Sequence, residues 1–298
     1  MKTKRLKSAF CQRLLSAFTP FAAQVLGGLA LALVVSAPAR ADIKLVFGTY
    51  AADKPTVTVK KYKPFLNYLS QEMTKVLGEP VQIRMKIAKD YENGIDDLAN
   101  GDVDFARFGP ASYITVYERE SGIQIVAMES KGGSKRFKGI IAVHSNSTAK
   151  SLSDLTRQSF AFGDPLSTIG RYLAQSHLID AGVTSQELSG YEYLGRHDRV
   201  GTAVGEGRFT AGALKESTYK KLVQSGVPIR VLFEFENVTK PWLAASGMDP
   251  RVLAAMRQVM LSTIDSEVLD SIAKDGFVEG DDADYDFIRK AMQHSRSF

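Results

Sequence analysis

The chain has 298 residues, 44% of them hydrophobic, with 38 Lys+Arg against 33 Asp+Glu, and a single cysteine, Cys11. Six of the bases (Lys2, Lys4, Arg5, Lys7, Arg13 and Arg40) and none of the acids precede Asp42, so the remainder carries 32 bases against 33 acids, a net charge of −1. That balance gives no support for nucleic-acid binding, and a remainder without cysteine excludes a disulfide, a thiolate nucleophile or a cysteine metal site.

The basic start, the apolar run from Ala17 to Val35 and the small-x-small sequence Ala39-Arg40-Ala41 read as a secretory signal peptide over residues 1–41, cut before Asp42. The same run would also serve as an uncleaved anchor; Pro38 and the small residues before the cut favour cleavage. A lipid-anchored form would need a cysteine after the run, where Ala41-Asp42 stands. The expected location is the periplasm. The remaining 257 residues suit one large domain or two lobes of ordinary size.

From Asp42 the pattern alternates strand and helix. Ile43–Gly48 reads as a strand. Tyr62–Leu77 reads as an amphipathic helix with Phe65, Leu69, Met73 and Leu77 on one face and Gly78 past its end. Val81–Ile87 is a strand, Tyr91–Ala99 a helix that Asp90 can cap, Val103–Phe108 a strand, Ala111–Glu120 a helix and Ile123–Met128 a short strand. This βαβα order is that of an α/β sheet. Ser130–Lys135 is polar and glycine-rich, a turn or hinge.

Beyond the hinge, Ile140–His144 is a strand, Ser151 opens a Ser-x-x-Asp helix signal, and Ser159–Gly163 is a strand. Tyr172–Ala181 is helical, Tyr191–Leu194 a strand, Arg199–Glu206 a short helix, and Phe209–Leu214 and Ile229–Phe235 are strands. Pro250–Ser262, Ser266–Lys274 and Asp281–Gln293 are helical and are expected to pack back on the first lobe. The layout places residues 42–135 and 236–298 in lobe 1 and 136–235 in an inserted lobe 2, with crossings near 135–139 and 232–238. Such a pair of crossings suits closure on a ligand.

Two strand-to-helix junctions carry the functional signal. Phe108-Gly109-Pro110-Ala111-Ser112-Tyr113 puts Pro110 at a first helical position; Phe162-Gly163-Asp164-Pro165-Leu166-Ser167-Thr168 offers hydroxyl caps. Free N–H groups and the positive dipole end make such starts anion sites. The sequence holds no Gly-x-Ser-x-Gly elbow, His-Glu-x-x-His or Gly-Lys-Ser/Thr phosphate loop, so no enzyme class is expected. His144, His177 and His294 share no spacing and read as non-functional.

These junctions, with Phe47-Gly48-Thr49-Tyr50, the continuation Ile169-Gly170, His197-Asp198 followed by Ala203-Val204, and Pro241-Trp242, resemble the periplasmic phosphate/phosphite/phosphonate-binding proteins of ABC transporters. The resemblance spans roughly residues 45 to 245. It implies a two-lobed α/β fold of the type II periplasmic binding class, each lobe a mixed sheet flanked by helices. It implies that Ser167, Thr168 and backbone N–H groups hold an oxyanion, that His197 is the binding histidine, and that Tyr50 lines the cleft with Gly109, Ser112 and Tyr113. The chain departs from the family pattern at Ile169, where a serine hydroxyl is lost. It departs again at Thr210, in a segment where the family often has an acid able to meet a ligand amine. Both departures favour a bare oxyanion over an aminophosphonate. The implied partners are the small oxyanion and an ABC permease, or alternatively a sensor kinase. No cofactor and no metal is implied, and the chain is expected to act as a monomer. Whether Arg107, Arg196 or Lys215 reaches the ligand is open at this level.

Overall fold

The computed structural model describes residues 42–270 and 272–298, so the signal-peptide reading of residues 1–41 lies outside the described residues. In chain order the elements are β1 (Ile43–Tyr50), α1 (Pro55–Leu77), β2 (Val81–Ala88), α2 (Tyr91–Ala99), β3 (Phe105–Arg107), α3 (Pro110–Arg119), β4 (Gln124–Glu129), β5 (Arg136–His144) and β6 (Ser159–Phe162). There follow a π-helical turn at Thr168–Leu173 that continues into α4 (Ala174–Asp180), β7 (Gly190–Tyr193), α5 (His197–Gly205), β8 (Ala211–Lys215), α6 (Glu216–Gln224) and β9 (Ile229–Val238). The chain ends with β10 (Pro241–Ala244), α7 (Pro250–Ser262), α8 (Ser266–Leu269), β11 (Phe277–Val278) and α9 (Asp286–His294).

Two mixed sheets result. The first has the order β11-β4-β10-β3-β1-β2, with β1 parallel to β2 and β3 and β10 antiparallel to β3 and β4. The second has the order β7-β6-β8-β5-β9, with β6 parallel to β7 and β8 and β5 antiparallel to β8 and β9. The two chain passages between the sheets run side by side. Arg136 pairs with Val238, the Thr239 N–H donates to the Lys135 carbonyl at 2.9 Å, and the Glu129 N–H donates to the Lys240 carbonyl at 3.1 Å. The passages therefore fall at 130–135 and 239–240.

The first sheet is held by aromatic packing. Trp242 stacks on Phe47 at 5.2 Å between centroids and meets Phe65 edge-on at 5.1 Å; Phe47, Phe65, Phe105 and Trp242 are all buried. Burying each such ring contributes about 1.5–3 kcal/mol. Helix α1 lays Tyr62, Phe65, Leu66, Leu69 and Met73 on this cluster and ends at Gly78, whose φ of 67° suits glycine and whose N–H caps the Thr74 carbonyl.

Several boundaries differ from the sequence expectation. Helix α1 starts at Pro55 rather than Tyr62, because Pro55 occupies a first-turn position where its missing N–H costs nothing. Strands β10 and β11 and helix α6 were not expected, and the Ser151 signal yields one 3-10 turn, Leu152–Leu155. The last helix packs against both α3 and the π-turn rather than against the first lobe alone, and Phe298 sits edge-on to Phe162 of the second sheet at 5.4 Å.

The β6-to-π-turn junction depends on two glycines in backbone contact. The Gly163 N–H donates to the Gly170 carbonyl at 2.8 Å, and a Cβ on Gly170 would lie 2.8 Å from the Gly163 Cα. Neither backbone can move aside without breaking that bond. Gly170→Ala is therefore expected to destabilise the fold by about 1–3 kcal/mol, read as a lowered urea midpoint; an unchanged midpoint would show that the junction relaxes freely.

Candidate functional site

A cavity of about 60 Å³ lies where the ends of β1, β3 and β8 converge between the two sheets. A water needs roughly 10–15 Å³ by this measure, so the space suits about four to six heavy atoms, the size of a small tetrahedral oxyanion. Clefts beyond strand ends are the usual ligand sites of open α/β sheets.

Four basic side chains line the cavity: Lys61 from the second turn of α1, Arg107 from the end of β3, Lys215 from the end of β8, and Lys240 from the passage between β9 and β10. Asp53, in the loop before α1, is the one carboxylate among the described lining residues. Glu129 stands behind Arg107, whose Nε and Nη2 donate to its two oxygens at 2.7 and 2.8 Å; both side chains are about nine-tenths buried. Arg107 and Lys215 are balanced by Glu129 and Asp53, so any excess of positive charge comes from Lys61 and Lys240 when they are protonated.

These charges perturb one another. Burial, reinforced by the neighbouring Arg107, lowers Lys61 to about 7. Burial and Arg107 likewise hold Lys240 well below the usual lysine range. Burial alone would raise Glu129, but the Arg107 guanidinium outweighs it and keeps the carboxyl below its usual value. His197 is lowered to about 3, by burial first and by Lys215 second, so its imidazole is neutral at physiological pH. Its backbone N–H points to the Ala52 carbonyl at 3.4 Å, and its Nδ1 is buried without a partner. A buried polar atom left unpaired at a cavity wall is what a ligand contact would satisfy.

Of the residues expected from the sequence, the structure brings Tyr50, Gly109 and His197 to the cavity wall. The Tyr50 hydroxyl accepts the Gly109 N–H at 2.7 Å and lies 2.9 Å from the Ser112 hydroxyl, which puts Ser112 one layer behind. Ser167 and Thr168 do not line the cavity. The Ser167 hydroxyl accepts the Gly170 N–H at 2.9 Å, an internal cap, while the Thr168 hydroxyl accepts the Ala111 N–H at 2.9 Å, joining the second sheet's junction to the start of α3. The N–H groups of Gly109 and Ala111 are thus already taken within the chain.

Three further residues expected from the sequence lie away from the cavity wall. The Tyr113 hydroxyl turns away to donate to Asp282 at 2.7 Å, and its ring packs on Tyr285. Ile169 is 4% exposed within the hydrophobic core, as an aliphatic side chain at a buried turn must be. The Thr210 hydroxyl bonds to Gln158 at 3.1 Å, at the opposite end of β8 from Lys215. Arg196, left open by the sequence, is engaged with Asp198 at 3.0 and 3.1 Å, whereas Arg107 and Lys215 both reach the cavity. Sequence reasoning missed Lys61, Asp53 and Lys240; for Lys240 its place beside Pro241-Trp242 was a usable signal.

Two mixed sheets with a polar, cationic cavity at their strand ends define a bilobal ligand-binding fold. The model of the family described as "ABC transporter, phosphonate, periplasmic substrate-binding protein" matches residues 47–285, and the chain belongs to that family. A probable ABC transporter phosphite binding protein of Prochlorococcus marinus is 25% identical over 198 residues, covering 62% of this chain and 65% of that protein. A phosphate-import protein of Mycolicibacterium smegmatis is 24% identical over 263 residues, covering 76% of this chain and 78% of that one. The fold matches a Prochlorococcus marinus protein solved in complex with methylphosphonate, with a TM-score of 0.76, 20% identity and coverage of 86% of this chain and 99% of that chain. It also matches a phosphonate-transporter binding component of Pseudomonas aeruginosa, with a TM-score of 0.74, 17% identity and 86% of each chain. No helix among the described residues is long and apolar enough to cross a membrane.

Proposed function

We propose that this chain is a periplasmic receptor for a small tetrahedral oxyanion, phosphite, phosphate or a simple phosphonate, which it delivers to an ABC permease after its signal peptide is removed. The observation that carries the reading is the small cavity lined by four basic side chains and an unpaired His197 Nδ1. Fixed cations and a neutral imidazole donor in a water-poor cleft hold an oxyanion without chemistry. The printed roles of the phosphite-binding and phosphate-import relatives support the ligand class, and the family description supports the permease rather than a sensor kinase as partner. The receptor is read as a monomer, with lobes joined at the paired passages.

A thermal-shift series on the protein isolated from the periplasmic fraction tests this. Ligand at 100 times its Kd adds about 2.7 kcal/mol, which raises Tm by roughly 5–10 °C for a chain of this size. At least one of phosphite, phosphate and methylphosphonate is expected to do so. No shift with any of them would overturn the reading.

A further inference from the structure

We propose that the Lys215 ammonium fills the place a ligand's own ammonium group would need, so that the cavity selects amine-free oxyanions. This deepens the receptor reading above and rests on it.

Asp53 is the one carboxylate among the described cavity-lining residues and hence the natural acceptor for a cationic ligand group. Both of its oxygens are committed across the cleft to the second sheet's side. Oδ2 pairs with the Lys215 ammonium at the end of β8, and Oδ1 accepts the Thr218 hydroxyl at 3.2 Å from the first turn of α6. The pair is largely buried, with side-chain exposures of 17% for Lys215 and 23% for Asp53. A bound amine would therefore find its carboxylate occupied and would face Lys215, with Arg107, Lys61 and Lys240 on the remaining walls. Placing a cation among like charges in a desolvated site is costly, and repulsion of this kind discriminates between ligands as effectively as a new attraction. An oxyanion meets the reverse situation, because the Lys215 ammonium retains N–H donors beyond the one given to Asp53.

The selection rests on one side chain, so one substitution inverts it. Removing Lys215 changes the local charge of the Lys215–Asp53 pair from zero to −1 and frees the volume of its aliphatic stem. Asp53, held only by Thr218, then becomes an acceptor for a ligand amine.

The test compares ethylphosphonate with aminomethylphosphonate, two ligands of equal heavy-atom count that differ by a methyl against an ammonium group. Calorimetric titration of the wild-type protein is expected to show ethylphosphonate binding at least about tenfold tighter. In Lys215→Ala the ratio of the two affinities is expected to move about tenfold or more toward the amine, and in Lys215→Ala/Asp53→Asn that movement is expected to vanish. Lys215→Met, which keeps the stem and loses the charge, replaces the alanine variant if the latter does not give a cooperative melt. Equal wild-type affinities, or a ratio unmoved by either variant, would overturn the role given to Lys215 while leaving the receptor reading intact. Wild-type protein that binds neither phosphonate, phosphite nor phosphate would overturn the receptor reading, and this inference with it.

Discussion

Arg107→Ala is expected to cost about 3–5 kcal/mol of folding stability and to weaken oxyanion binding by about 10- to 100-fold. The stability loss follows from Glu129. Its carboxylate is 8% exposed as a residue and has Arg107 as its bidentate partner at 2.7 and 2.8 Å. Truncating Arg107 leaves that charge buried, with burial no longer outweighed, and removes the guanidinium from beside the Tyr62 ring, 5.8 Å from its centroid. The binding loss follows from the cavity, where Arg107 is one of four lining basic side chains. The two effects separate in a cycle. Arg107→Met/Glu129→Met is expected to recover most of the stability, because replacing both partners of a buried pair by apolar side chains is often neutral, but to leave binding weak. Arg107→Lys keeps the charge and loses the fork, so it is expected to fall between. Urea denaturation and calorimetry measure both quantities; a stability loss under about 1 kcal/mol for Arg107→Ala would show that Glu129 finds another partner.

The alternation of strands and helices was legible because each core strand is a short apolar run and each helix shows a buried stripe. What escaped was the part of the chain that faces the cavity. The stretch Pro55–Lys61 is helical, yet only Thr58 in it is buried, while Val57 and Val59 are exposed at 40% and 39%. A helical turn that points polar groups into a cleft carries no apolar period, so the stripe beginning at Tyr62 set the apparent helix start and Lys61 was left outside it.

Ser167 and Thr168 are placed off the cavity wall for a different reason. A hydroxyl that caps a helix and a hydroxyl that binds an anion have the same sequence signature, because both answer the same free N–H groups. Here Ser167 caps its own turn and Thr168 caps α3 across the cleft. Thr210 shows the limit of reading one strand from sequence. The five residues of β8 span about 16 Å, so Thr210, just before the strand, lies a strand's length from the cavity that Lys215 lines at the other end. Tyr50, Gly109 and His197 reached the cavity because each sits at an element boundary that the apolar pattern fixes: the end of β1, the residue before α3 and the first residue of α5.

Lys61→Met is expected to stabilise the unliganded protein while weakening its ligand binding, and the stabilisation is expected to depend on pH. In the folded chain Lys61 titrates at about 7 rather than 10.5, because burial and then Arg107 disfavour its charge. Below pH 7 the ammonium is protonated both folded and unfolded, and the fold carries the full penalty. Between about 7 and 10.5 the unfolded chain binds more protons than the folded one, so stability rises with pH, and above 10.5 the penalty is gone. Lys61 is only half-buried, so solvent screens part of this, and Lys61→Met is expected to gain on the order of 2–4 kcal/mol at pH 6, a gain that fades as the pH approaches 10. An oxyanion in the cavity works in the opposite sense: it favours the ammonium and raises its pKa, so binding takes up a proton within that same window. At about pH 8.5 phosphite, a stronger acid in its second ionisation than the alkylphosphonates, is already dianionic and no longer titrates itself. Calorimetry there, in buffers of different ionisation enthalpy, is expected to show net proton uptake by the wild type and less of it by Lys61→Met, with Lys240 supplying the rest. A stability gain for Lys61→Met that stays constant from pH 6 to 10, or binding enthalpies independent of the buffer, would show that Lys61 is charged in the empty cavity and that the oxyanion meets a site already fully protonated.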